Sequence, residues 1–215
     1  MRHQIAGFRQ NLQSVAEFIF LDAPNILLEQ SQDRLITRKF GHLVPFRQWY
    51  TVRNIKHSKD TNWDREYDLI DKTIEHIKEK AHSLGRIDAV LAFSQGTVVA
   101  TLLTAMYIRQ QKAPPWKICV CVCGIPVQDR RYRHLFEENG KTFELPLPSM
   151  HIFSPQDPLY RKAKALSHMY VSETASDLPY RSTYKFDGGH IFPSVTKYQT
   201  MYRDISDQIR KVCGL

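Results

Sequence analysis

The run 87–93 (Ile-Asp-Ala-Val-Leu-Ala-Phe) passes through Ser94-Gln95-Gly96 directly into Thr97-Val98-Val99-Ala100-Thr101-Leu102-Leu103. A short apolar β-prone stretch followed at once by a helical one leaves room only for a sharp strand-to-helix turn, with the serine at its apex. Such a turn is strained, and small residues two before and two after the serine keep helix and strand from colliding. Ala92 and Gly96 occupy those positions. The helix start behind Ser94 also favours negative charge developing on a bound oxygen.

The rest of the chain repeats this alternation. Runs 17–21, 117–123, 150–153 and 182–186 read as further strands, and 64–83, 96–111, 160–171 and 194–212 as helices. Strands alternating with helices predict a mostly parallel central sheet with helices on both faces, in one domain spanning 1–215. Ligands then sit at the carboxyl ends of the strands. The least regular stretch is 26–63, with Pro45, Trp49, Tyr50 and Trp63; it reads as a long surface loop or as a lid over a substrate site.

A nucleophilic serine needs a base, and the base an orienting carboxylate. Asp157 follows the strand at 150–153 and His190 follows the strand at 182–186, in the order Ser, Asp, His. Gly188 and Gly189 let the chain turn the imidazole back over the sheet. Asp187 is a rival for the acid, but the acid is expected from the preceding strand's loop, which favours Asp157. The oxyanion hole is expected from the backbone N–H of Gln95 and from Phe8 in the early loop Ala6-Gly7-Phe8-Arg9-Gln10-Asn11. Trp49 and Tyr50 are candidates for lining an acyl pocket.

The formal net charge of +8 raises the question of an anionic partner. The Lys and Arg residues are spread along the chain, and the densest groups (Arg130, Arg131, Arg133; Lys162, Lys164) are short, so nucleic-acid binding is not expected. Of the four cysteines, Cys119, Cys121 and Cys123 alternate on one strand and are expected on one face, packed as small apolar groups rather than as metal ligands. Unpaired thiols suit an intracellular protein, and no run reaches the length of a signal core or a membrane span. The expectation is a soluble cytoplasmic protein with no stable membrane association.

Ala6-Gly7-Phe8-Arg9-Gln10-Asn11, Leu21-Asp22-Ala23-Pro24, Trp49-Tyr50, Phe93-Ser94-Gln95-Gly96, Asp157 and Gly188-Gly189-His190-Ile191-Phe192-Pro193 together resemble the FSH serine hydrolases, nearest the ovarian-cancer-associated gene 2 type of esterase. The resemblance implies an α/β-hydrolase fold without a large cap domain and a small-molecule acyl ester as substrate. It implies Ser94, Asp157 and His190 at the triad positions, and no metal or organic cofactor. The same triad serves thioester hydrolysis or acyl transfer, and a hydrolase fold can also serve as a non-catalytic scaffold. One departure stands out: only residues 12–16 separate the glycine loop from the strand at 17–21, whereas a parallel crossover needs a dozen or more. Either the first segment is rearranged or the chain is a shortened version.

Overall fold

In the computed structural model the described residues are 4–27, 45–55, 62–172 and 180–215. Helix α1 (Ala6–Leu12) is followed by short strands β1 (Asn25–Ile26), β2 (Arg47–Gln48), β3 (Thr51–Asn54) and β4 (Arg65–Asp68). Then come α2 (Ile70–Leu84), β5 (Ala89–Phe93), α3 (Gln95–Arg109), β6 (Ile118–Val122) and a 3-10 helix (Arg130–Leu135). The hairpin β7 (Glu137–Glu138) and β8 (Lys141–Thr142) precedes β9 (Ser149–Phe153), α4 (Tyr160–Ser167), β10 (Arg181–Lys185) and α5 (Gln199–Cys213).

The central sheet has the order β10-β9-β6-β5 with every pair parallel, in register Phe93↔Val122 and Val122↔Ile152 at the carboxyl end. Its inner strands β6 and β9 are buried along their whole length, as an apolar strand covered on both faces must be. On one face Val98, Val99, Leu102 and Leu103 of α3 pack with Ile70 and Ile74 of α2 and Leu166 of α4. On the other, Phe8 and Leu12 of α1 pack with Tyr202, Ile205 and Ile209 of α5 over Ile118, Val120 and Val122.

Three expectations are corrected. Residues 17–21 form no strand: they pair with nothing in the sheet, and β5 is one of its two edge strands among the described residues, with β10 at the other edge. The short connection is the physical reason. Val15 and Ala16 both donate to the Leu12 carbonyl in a tight turn, leaving too little chain to cross to a parallel position beside β5. Phe18 and Phe20 still pack on the core while Ile19 is exposed, so the alternation survives without the ladder. Second, residues 6–11 are not a loop but helix α1, with Asn11 Nδ2 donating to the Gly7 carbonyl at 2.7 Å. Third, the helix expected from residue 64 begins only at Ile70. Residues 65–68 pair antiparallel with 51–54, and Leu69, at a φ of 67°, ends the strand and starts the helix. Where it is described, 26–63 is therefore built of small antiparallel pairs, β1–β2 and β3–β4; residues 28–44 and 56–61 of that lid candidate lie outside the described residues.

Gly7 owes its identity to packing. A Cβ there would meet three carbons of the Tyr202 ring at 2.6 Å. That ring is fully buried and its hydroxyl donates to the Pro193 carbonyl at 2.8 Å, so it has nowhere to move. Gly7→Ala is expected to cost about 1–3 kcal/mol as overpacking, which thermal unfolding would register as a Tm roughly 3–10 °C lower.

His151 on β9 is buried, with Nε2 3.1 Å from Ser149 Oγ and its ring edge-on to Tyr170. Burial, helped by the charge of Arg181, pushes its pKa down to about 3. Unfolded, the ring takes a proton near pH 6.5. The contribution of the neutral buried ring is thus complete above that pH and is lost as pH falls toward 3. Replacing it, as in His151→Phe, is expected to flatten the fall of Tm between pH 6.5 and 4, read as a slope rather than an absolute value.

The arginines of the basic groups noted in the sequence are paired locally. Arg131 pairs with the buried Asp129 at 2.6 Å, Arg133 with Glu137 at 2.7 Å, and Arg130 with Glu66. No helix among the described residues is long and apolar enough to cross a membrane.

Candidate active site

The carboxyl ends of β5, β6 and β9 are laced together: Ser94 N donates to the Val122 carbonyl at 3.0 Å, and Cys123 N to the Ile152 carbonyl at 2.8 Å. Ser94 follows β5 directly, with φ 49° and ψ −118°. A non-glycine residue held there stores strain, and its neighbours must hold it. They do so through Thr97, whose N–H and hydroxyl both donate to the Ser94 carbonyl, at 3.0 and 2.7 Å. Gly96 contributes less than its position suggests, because a Cβ there would make ordinary contacts, 3.5 Å from Trp49 Nε1 and 3.9 Å from Ala92 Cβ.

Ser94 Oγ lies 2.7 Å from His190 Nε2, and His190 Nδ1 lies 2.7 Å from Asp157 Oδ2. With the Nδ1 proton donated to Asp157, Nε2 remains as the acceptor for the Ser94 hydroxyl; that tautomer is the assignment the network requires. The Asp157 side chain is fully buried and that of His190 is 31% exposed. Asp157 Oδ1 accepts the Leu159 N–H at 2.8 Å, so both carboxylate oxygens are satisfied away from water. Asp187, the rival, is exposed, and its Oδ2 faces Lys197 Nζ at 3.3 Å and the Tyr198 hydroxyl at 3.5 Å. The imidazole also packs against Phe93, centroids 5.1 Å apart, and Phe93 stacks on Phe192 at 5.0 Å.

Gln95 N is the first amide of α3, where a helix offers no internal partner. The Gln95 side chain does something the sequence did not suggest. Its Oε1 accepts the Trp49 N–H at 2.9 Å and its Nε2 donates to the Tyr50 carbonyl at 2.6 Å. Thr73 Oγ1 and Asn25 Nδ2 both donate to the Trp49 carbonyl, so the Trp49–Tyr50 backbone is fixed beside the turn that holds Ser94. Trp49 is half-buried there. Tyr50 is core: fully buried, 4.3 Å centroid to centroid from Tyr67, its ionisation pushed well up by burial. The Phe8 amide lies in the first turn of α1, again without a helical partner, while its ring packs edge-on to Tyr202 at 5.1 Å. Among the described residues no hydrogen bond joins Phe8 to Ser94, Asp157 or His190. A cleft of about 520 Å3 lies by α1, lined by Arg9, Gln13, Ala16, Phe18, Ile19 and Phe20, apart from those three residues.

The cysteines need a correction. Cys119 and Cys121 share one face of β6, with Sγ atoms 3.5 Å apart, but Cys123 belongs to the opposite core. The strand ends at Val122 and Cys123 adopts a φ of 46°, which breaks the period of two. Its Sγ, an Asp157 oxygen and a His190 ring nitrogen all lie within 4.8 Å of one another. Each already has a protein partner, the thiol donating to the Ile191 carbonyl at 3.4 Å, so the cluster reads as part of a hydrogen-bonded relay rather than as an open ligand set.

A family model described as Serine hydrolase (FSH1) matches residues 1–202. Esterase OVCA2 of Danio rerio is 23% identical over 215 residues, covering 94% of this chain and 88% of that protein. Thioesterase FSL2 of Gibberella zeae is 28% identical over 197 residues, covering 84% of this chain and 74% of that protein. The crystal structure of the Bacillus cereus carboxylesterase superposes with a TM-score of 0.52, over 97% of this chain and 81% of that one; at 10% identity the likeness speaks for the fold alone.

Proposed function

Because the chain belongs to the FSH1 serine hydrolase family and has an α/β-hydrolase fold, we propose that it hydrolyses carboxylic esters through an acyl-enzyme formed on Ser94. The observation that carries this reading is the unbroken relay from Ser94 Oγ through His190 to buried Asp157, each link 2.7 Å. Ser94 Oγ attacks the ester carbonyl as His190 Nε2 takes its proton; the imidazolium then gives that proton to the leaving alcohol. Asp157 holds the tautomer and stabilises the imidazolium. Water repeats the sequence on the acyl-enzyme, returning Ser94 and releasing the acid. The amides of Gln95 and Phe8, each at a helix start with no helical partner, hold the oxyanion. Trp49, fixed beside the turn by Gln95, lines the acyl side.

Hydrolysis of thioesters is the second reading, favoured by the resemblance to the thioesterase from Gibberella zeae. A series of p-nitrophenyl esters from acetyl to dodecanoyl, run beside the matching acyl thioesters, tests both. Ester turnover exceeding thioester turnover at every chain length is expected. A higher kcat/KM for thioesters throughout would transfer the assignment to thioester hydrolysis. Folded protein that turns over neither would favour a non-catalytic role.

A further inference from the structure

Three residues each stand one position past the end of a parallel strand: Ser94 after β5, Cys123 after β6 and Ser154 after β9. All three reach the same loop. Ser94 Oγ meets His190, Ser154 Oγ accepts the Gly188 N–H at 3.2 Å, and the Cys123 thiol donates to the Ile191 carbonyl at 3.4 Å. The geometry points to Ser154 and Cys123 as positioning residues that clamp the loop on either side of His190 and so set the imidazole against Ser94. This inference rests on the reading of Ser94, His190 and Asp157 as the reacting relay.

The loop needs such clamps. Gly188 and Gly189 precede the histidine, Gly189 at a φ of 27°, and two glycines in succession give the chain more freedom to lose than any other pair. Elsewhere it is held by Asp187 N, which donates to the Tyr198 hydroxyl at 2.7 Å on the exposed side. Ser154 and Cys123 hold it from below and are both fully buried. Ser154 also accepts the Gln156 N–H at 3.1 Å, and its carbonyl accepts the Asp157 N–H at 3.0 Å, so one residue ties the acid's turn to the base's loop. Cys123 is held at a φ of 46°, a conformation a side chain adopts only when its surroundings require it. What the strain achieves is delivery of the thiol to the histidine loop rather than to the face of Cys119 and Cys121. Burial and the neighbouring Asp157 carboxylate push the thiol up to about 12, so it remains a protonated donor through the working pH range.

The test compares the full chain with Ser154→Ala, Cys123→Ala and Cys123→Ser. Steady-state turnover of a short p-nitrophenyl ester is paired with proton NMR of the downfield signal from His190 Nδ1–H. Ser154→Ala is expected to lower kcat by about 10- to 100-fold with KM within about twofold, since small misplacement of a reacting group has effects of that size. Cys123→Ala is expected to lose about 3- to 10-fold, the thiol being a weaker donor, and to broaden the downfield signal; Cys123→Ser is expected to restore both. Wild-type kcat and an unchanged downfield signal in both alanine variants would overturn the inference. So would a Cys123→Ser variant as impaired as Cys123→Ala, which would mean that volume matters and the donor does not. The cysteine pair carries the test if Ser154→Ala does not fold. The NMR arm needs no substrate, so it judges the clamp even if ester turnover fails and the hydrolase reading falls.

Discussion

Ser94→Ala is expected to lower kcat by on the order of 10⁶-fold, the scale of loss when the nucleophile of a working triad is removed. The residue combines three properties: a strained φ of 49°, a hydroxyl 2.7 Å from an imidazole nitrogen, and a place at the start of α3. Only the hydroxyl is lost in the alanine variant, so the fold should be retained and Tm should change little. Ser94→Gly separates the strain from the chemistry. It removes the hydroxyl as well, but it also removes the Cβ from a backbone conformation that costs about 1–3 kcal/mol. The glycine variant is therefore expected to be as inactive as the alanine variant and to melt at a higher temperature. Thermal unfolding of the two variants side by side measures that difference.

Asp157→Asn is expected to lower kcat by about 10⁴-fold, because an amide at that position favours the wrong imidazole tautomer. The carboxylate accepts His190 Nδ1–H on one oxygen and Leu159 N–H on the other, and its side chain is fully buried. Asparagine can accept one of these bonds only by turning its NH2 toward the other donor, so the imidazole loses either its orientation or its proton. Asp187→Asn is the control. That side chain is exposed and faces Lys197 and Tyr198, and its replacement is expected to change kcat less than about threefold, as for a surface substitution. Steady-state kinetics of the two variants distinguishes the carboxylates that the sequence left in competition.

What could be read from the sequence was local. The run from β5 through Ser94 into α3 is continuous in the chain, so its periodicity change and small residues were sufficient to place the turn. Asp157 and His190 followed from the same logic, each just past its own strand and in the chain order that this fold, rather than the chemistry, imposes. What was hidden depended on partners. Residues 17–21 have the alternation of a strand, but a strand exists only where a neighbour supplies the ladder, and none is reached. Residues 6–11 gave too few helical turns to show a period, and α1 is secured by Tyr202 nearly two hundred positions away. Strict alternation misplaces Cys123, because one residue past the end of β6 the backbone has already left extended geometry. The side-chain role of Gln95 was invisible for a similar reason, since its partners Trp49 and Tyr50 lie far back in the chain.

Covalent trapping identifies which side chain forms the bond to the acyl group. The purified chain is treated with a fluorophosphonate and its peptides are mapped by mass spectrometry. A single adduct on Ser94 is expected, formed at a rate that falls sharply in Asp157→Asn and is absent in Ser94→Ala. Labelling that persists in Ser94→Ala, or an adduct on another residue in the wild-type chain, would contradict the assignment of Ser94 as the nucleophile.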